Sequence, residues 1–207
     1  MKKRTSILLG AAALAVAGAV VAAPKFIAPT TPPLAGAATK RLSDFNLVAI
    51  DGDPLPMKQF AGKVVLLVNT ASFCGYTPQY DGLQKLQTNY APKGFTVVGV
   101  PSGDFLGQEY GSNKEISSFC KAKFGIKFPL AEKGDVVGPK AIPIYRWAAA
   151  VLGPDNTPKW NFHKYLIGRD GRLIAAFGSK VAPEDPSVTA AIEAALKGSP
   201  EIGRAHV

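Results

Sequence analysis

The amino-acid sequence predicts an α/β domain in which a mixed central sheet carries helices on both faces. Three observations lead there. Residues 64–68 read Val-Val-Leu-Leu-Val, a short run apolar at every position, as expected of a strand buried on both sides. Residues 95–100 form a second such run, closed by Pro101. Between and after these runs apolar residues recur every three or four positions, so helices and strands follow one another along the chain.

Residues 1–23 stand outside this domain. Lys2, Lys3 and Arg4 precede an apolar or small stretch over 7–23 that ends Val21-Ala22-Ala23. This is the build of a secretory signal peptide, with an uncleaved N-terminal membrane anchor as the rival reading. Pro24 disfavours a cut directly after Ala23. Either reading places the folded part outside the cytoplasm, periplasmic or secreted. Residues 24–40 hold Pro29, Pro32 and Pro33 among alanine, threonine and glycine, the composition of a linker. The domain is expected over 41–197, long enough for one core, with 198–207 a flexible tail.

Within the domain, Asp51-Gly52-Asp53 sits between alternating apolar residues and signals a hairpin. The strand at 64–68 leaves through a small, polar loop at 69–75. From Thr77 the pattern turns helical: Pro78 suits a first turn, and Tyr80, Leu83, Leu86 and Tyr90 share a face. Gly94 ends that helix, and the strand at 95–100 follows. Ser112 with Glu115 forms a capping box for a helix over 112–123, on which Ile116, Phe119, Cys120 and Phe124 share one face. A short helix covers 144–152. Strands at 162–168 and 172–177 meet at Asp170-Gly171, a strong hairpin dipeptide. An amphipathic helix over 185–196 closes the domain. This order is that of a thioredoxin-like fold.

The formal net charge is +9, which falls to +6 once Lys2, Lys3 and Arg4 leave with a signal peptide. The remaining basic residues, Lys164 among them, are scattered, and the group Lys121, Lys123 and Lys127 reads as a solvated face. No arginine stripe interleaves with aromatics, which argues against nucleic-acid binding. A basic surface still favours anionic partners and contact with a membrane surface.

The chain has two cysteines, Cys74 and Cys120, and two histidines, His163 and His206. Their spacing gives neither a zinc site nor a Cys-x-x-Cys pair, so no metal or cofactor is called for. Cys74 falls between a buried strand and the next helix. Backbone N–H groups and the helix dipole there favour an anion, and the thiolate is the reactive form. The ordinary alternatives are a buried structural thiol or a structural disulfide with Cys120. One reactive and one resolving cysteine fits the two placements better. A thiolate that attacks a peroxide needs neutral donors around it. Gln108 lies in the loop beyond the second strand, at the sheet edge that carries Cys74. Trp160 and Asn161 begin the third strand. Singly, these read as solvated, core and turn residues.

Residues 68–80, Val-Asn-Thr-Ala-Ser-Phe-Cys-Gly-Tyr-Thr-Pro-Gln-Tyr, resemble the active-site segment of the glutathione peroxidase family. Gly107-Gln108-Glu109, followed by Gly111-Ser112-Asn113-Lys114-Glu115, is similar to that family's glutamine loop. Trp160-Asn161-Phe162 resembles its Trp-Asn-Phe segment, and Asp170-Gly171 its following hairpin. Together the likeness spans about 42–183. It implies a thioredoxin-like fold and a thiol peroxidase that reduces hydrogen peroxide and organic or lipid hydroperoxides. It implies Cys74 as peroxidatic nucleophile, with Gln108, Trp160 and Asn161 as polar partners. Members that use thioredoxin are similar in carrying a resolving cysteine on the helix after the glutamine loop, which implies that role for Cys120. A thioredoxin-like dithiol or glutathione would then be the reductant. The short stretch between Pro139 and Trp160 resembles that of monomeric members. One departure is Ser102-Gly103-Asp104 where the family has Cys-Asn-Gln; it adds a negative charge near the site that is expected to slow the Cys74 thiolate. The rivals are an extracytoplasmic protein thiol–disulfide oxidoreductase, against which the missing Cys-x-x-Cys speaks, and a non-catalytic redox sensor on the same fold.

Overall fold

The computed structural model describes residues 36–198; the expected signal peptide, most of the linker and nearly all of the tail lie outside the described residues. Residues 36–39 form a turn closed by a 2.8 Å bond from the Thr39 hydroxyl to the Gly36 carbonyl. The Trp147 indole N–H donates to the Ala37 carbonyl at 3.1 Å. A piece of the segment assigned to the linker by composition is therefore seated against the domain, because its carbonyl serves a buried indole.

A hairpin of β1 (Asn46–Val48) and β2 (Pro54–Pro56) precedes the main sheet. Four strands build that sheet: β3 (Val64–Thr70), β4 (Phe95–Pro101), β5 (Lys164–Ile167) and β6 (Leu173–Phe177), in the order β4-β3-β5-β6. β4 runs parallel to β3, while β5 and β6 are antiparallel to their neighbours. The parallel pair requires a crossover, supplied by α1 (Gln79–Tyr90). The other helices are α2 (Asn113–Phe124), α3 (Pro143–Leu152) and α4 (Pro186–Leu196). The sheet is mixed and covered on both faces, as expected.

The unbroken apolar run of β3 has a direct structural reason. Val64, Leu66 and Val68 enter a core shared with α1, α2 and α4. Val65 and Leu67 enter a second core shared with α3 and the β1–β2 region. Each such buried side chain contributes about 1.5–3 kcal/mol of transfer free energy, so both faces of this strand hold the domain together.

Two boundaries differ from expectation. β3 continues through Asn69 and Thr70, which pair with Val100 and Pro101 of β4, so residues that read as loop by polarity are held by the ladder. Trp160 and Asn161 do not begin a strand. Phe162 adopts a left-handed backbone, φ +64, which no strand accommodates, and β5 starts only at Lys164. The α2 capping box forms as the sequence predicts: the Ser112 hydroxyl accepts from the Glu115 N–H at 3.3 Å, and the Glu115 carboxylate accepts from the Ser112 N–H at 3.1 Å.

Candidate active site

Three loops converge on the C-terminal end of β3, and Asn69 ties two of them together. Its side-chain Nδ2 donates to the Trp160 carbonyl at 3.1 Å, and its Oδ1 accepts from the His163 N–H at 3.0 Å. Its backbone carbonyl accepts from the Phe162 N–H at 2.7 Å. One fully buried asparagine thus fixes the turn over 160–163 beside the loop that leaves β3. Sequence reasoning missed it. Its only signal was a polar residue directly after an apolar run.

That loop carries Cys74. Its shape is set by Thr77, whose hydroxyl accepts from the Cys74 N–H at 3.0 Å and donates to the Ala71 carbonyl at 2.9 Å. The Thr77 N–H closes the turn onto the Cys74 carbonyl at 3.0 Å. The thiol is 7% exposed, and its Sγ accepts from the Tyr76 N–H at 3.4 Å. The amide that serves the sulfur therefore belongs to this turn, ahead of the first residue of α1, rather than to the helix terminus itself.

The third loop brings Gln108. The Phe73 N–H donates to the Gln108 carbonyl at 3.0 Å, placing the glutamine next to the residue before Cys74. Asn161 Nδ2 donates to Gln108 Oε1 at 3.0 Å. With its oxygen so engaged, Gln108 is left with its amide N–H groups as donors. The Trp160 ring packs on Phe105 of the same loop, with centroids 5.7 Å apart. Among the described residues, Leu106 (φ +58) and Phe162 (φ +64) are the two non-glycine residues with left-handed backbone. Each lies close in sequence to a site residue, where strain of this kind is commonly retained. Cys74, Gln108, Trp160 and Asn161 are thus assembled on one end of the sheet.

Residues 42–149 match the family model for glutathione peroxidase. The chain belongs to the glutathione peroxidase family. A hydroperoxy fatty acid reductase of Synechocystis sp. is 46% identical over 151 residues, covering 73% of this chain and 96% of that protein. A glutathione peroxidase-like peroxiredoxin of Saccharomyces cerevisiae is 40% identical over 159 residues, covering 74% and 96%. The crystal structure of T. cruzi GPX1 superposes with a TM-score of 0.60 at 29% identity, covering 76% of this chain and 97% of that one. A thioredoxin-family thiol:disulfide interchange protein from Chlorobium tepidum, at 18% identity and TM-score 0.56 with 73% and 92% covered, shares the thioredoxin-like fold alone.

In this glutathione peroxidase relative, Asp104, whose charge was expected near Cys74, is bonded to the backbone of another loop. Its Oδ2 accepts from the Val136 and Val137 N–H groups at 2.6 and 3.1 Å. The carboxylate is spent on pinning a neighbouring loop. Cys120 lies on α2, fully buried in the same core as Cys74, and both thiols are free. Burial pushes the Cys120 thiol up to about 11.

Lys164, one of the scattered basic residues of the sequence, is fully buried in this peroxidase. Its three ammonium donors meet Gln79 Oε1 at 2.6 Å, the Phe162 carbonyl at 2.8 Å and the Val181 carbonyl at 2.5 Å. It stitches the start of α1 to the turn after Asn161, and burial lowers it to about 7. His163 is buried against the Tyr165 ring, and burial, with the Lys164 charge beside it, lowers it from 6.5 to about 4. Folded protein keeps this imidazole neutral down to about pH 4, whereas the unfolded chain protonates below 6.5. Its contribution to stability is therefore intact above pH 6.5 and is lost as pH falls from 6.5 to 4, amounting to about 3 kcal/mol. Glu109, raised by burial, acts with the opposite sign, so the comparison must be made between variants. Denaturant unfolding at pH 7 and pH 4.5 is expected to show a smaller acid loss in His163→Gln than in wild type.

Proposed function

We propose that this peroxidase reduces fatty-acid and related organic hydroperoxides, as well as hydrogen peroxide, through a Cys74 sulfenic acid. Cys120 condenses with that acid to a disulfide, and a thioredoxin-like dithiol protein reduces it, with glutathione as the alternative donor. The observation that carries the reading is the linkage of Cys74, Gln108 and Asn161: a thiol whose sulfur accepts a backbone N–H, beside a glutamine whose oxygen is held by asparagine.

In the first step the Cys74 thiolate attacks the terminal peroxide oxygen. The S–O bond forms, the O–O bond breaks, and the alkoxide takes a proton to leave as an alcohol. Neutral amide donors stabilise charge on the departing oxygen without competing for the sulfur's charge. Gln108 N–H groups and the Trp160 indole fill this role in our reading. In the second step the Cys120 sulfur displaces hydroxide from the sulfenic acid. A disulfide so formed needs a two-electron thiol donor, which a vicinal dithiol protein supplies through a mixed disulfide.

The preference for an acyl hydroperoxide rests on the rim of the site and on the relatives. Phe73 is 54% and Leu106 79% exposed, one beside Cys74 and the other beside Gln108, and two such side chains cover an alkyl chain favourably. Curated relatives in Synechocystis are hydroperoxy fatty acid reductases. The basic, alanine-rich start directs the domain outside the cytoplasm in this reading, where it acts as a monomer near membrane lipid and requires an exported dithiol donor. The test is rapid mixing of the reduced protein with a hydroperoxy fatty acid and with hydrogen peroxide. Wild type is expected to favour the fatty acid. In a Phe73→Ser, Leu106→Ser double variant the ratio of the two rates should fall about tenfold, the loss of roughly 1.4 kcal/mol of apolar contact. An unchanged ratio would remove the acyl-chain reading.

A further inference from the structure

A row of aromatic rings leads away from the active site, and the attack on peroxide does not use it. Phe73, the residue before Cys74, packs its ring on Tyr110 with centroids 4.4 Å apart. Tyr110 packs on Phe119 of α2 at 5.6 Å, and Phe119 on Phe124 at 5.7 Å. Phe73 is exposed and the other three rings are half-buried, so the row has an open side. Single apolar residues on a surface need no explanation, but a contiguous row that starts beside a reactive thiol points to an apolar ligand. At the far end the Lys123 ammonium sits over the last two rings, 5.5 Å from the Phe119 centroid and 5.7 Å from that of Phe124.

That end carries positive charge. Between Glu115 and Glu132 the chain has no acidic residue, and it has Lys121, Lys123 and Lys127, all exposed. None of the three joins an ion pair among the described residues. Lys133, beside the Tyr110 ring, is already held on the Tyr110 carbonyl at 2.8 Å. The helix dipole accounts for lysines in the last turn of α2; it does not account for the rings that join them to the thiol. An open apolar row with a free cation over its far end is complementary to an amphiphile with an anionic end. We propose that the hydroperoxide taken by this site is a free long-chain fatty acid, its carboxyl arm lying along Phe73, Tyr110 and Phe119 and its carboxylate ending on Lys123. This rests on the reading that an acyl hydroperoxide is the substrate, and it names the form: the free acid rather than an ester. A neutral ester brings no charge for Lys123 to meet, and hydrogen peroxide uses neither the rings nor the cation. Disulfide formation follows peroxide attack, so the part of the row on α2 is intact when the substrate arrives, whatever α2 does afterwards.

The test is rapid mixing of the reduced full chain with a long-chain hydroperoxy fatty acid, with its methyl ester and with hydrogen peroxide, the acyl compounds kept below micelle formation. The second-order rate of peroxide consumption is read for each. Wild type should consume the acid about fivefold faster than the ester, the size of one exposed ion pair, and high salt should shrink that preference. Lys123→Gln should bring the acid-to-ester ratio close to one, Lys123→Glu should push it below one, and Lys123→Arg should keep it. Lys85→Gln removes the same charge from α1, where Lys85 pairs with Glu184, and should keep the wild-type ratio. The proposal is overturned if wild type shows no preference for the acid over the ester, or if Lys123→Gln keeps that preference. It is equally overturned if Lys85→Gln loses as much of it as Lys123→Gln, which would make the preference an effect of net charge. A wild type that consumes neither acyl compound faster than hydrogen peroxide would instead remove the acyl-hydroperoxide reading itself.

Discussion

Replacing Cys74 by serine is expected to lower hydroperoxide reduction by about 10⁴-fold, equivalent to about 5.5 kcal/mol of transition-state free energy. The substitution changes one atom and leaves the frame intact. The loop is shaped by Thr77 bonds to the Cys74 N–H and to the Ala71 carbonyl, and neither uses the sulfur. A serine oxygen can still accept from the Tyr76 N–H, so the loss isolates the sulfur's chemistry. Alkoxide is not formed at neutral pH by backbone N–H groups alone, and a serine has no counterpart of the sulfenic acid, so no second step can follow. The measurement is consumption of hydroperoxide with an excess of a thioredoxin-like dithiol, alongside denaturant unfolding to show stability within about 1 kcal/mol of wild type. Residual turnover above a thousandth of wild type would mean that Cys120 attacks peroxide directly, and the roles of the two thiols would have to be exchanged.

How much of this site could be read in advance depends on which residues announce themselves locally. Cys74, Gln108 and Asn161 lie in compact stretches of the chain, and the structure brings them together. The two cores were also legible, because an apolar run such as 64–68 can only be satisfied by cover on both faces. Asn69 and Lys164 were not legible for one shared reason. Each is polar, and polarity in a sequence reads as solvent. Lys164 is buried by three oxygens that come from α1, from Phe162 and from Val181, positions scattered along the chain. Asn69 is buried by a turn nearly a hundred positions away. Asp104 was legible only in part: its negative charge was visible, but the two N–H groups that hold its carboxylate were not. Trp160 and Asn161 were assigned to a strand because their neighbours are apolar, whereas the left-handed Phe162 is a tertiary compromise forced by the bonds to Asn69.

Cys120→Ser is expected to separate the two halves of the cycle. The variant should consume one equivalent of hydroperoxide at close to the wild-type rate, accumulate sulfenic acid at Cys74, and then turn over with a dithiol protein at least about 100-fold more slowly, because the partner must attack sulfenic acid rather than a disulfide. Wild type should instead end each turnover as a Cys74–Cys120 disulfide. That bond requires the two Cα atoms to come within about 7 Å, yet Cys120 sits inside an intact helix with its thiol facing the core. We expect the helix to open for this step. Ile116 and Cys120 are the fully buried residues of α2, and Phe119 and Phe124 are half-buried against Tyr110 and Tyr80, so once the cysteine leaves, one buried isoleucine, two half-buried rings and the helix caps remain to hold it. Opening of a segment held in this way falls at the low end of local unfolding free energies. Amide hydrogen exchange over 113–124 should therefore accelerate when wild type is oxidised and stay slow in oxidised Cys120→Ser. Unchanged protection in oxidised wild type, with the disulfide present, would show that the loop carrying Cys74 moves to the helix instead. Full steady-state turnover of Cys120→Ser with the dithiol partner would show that Cys120 has no part in resolution.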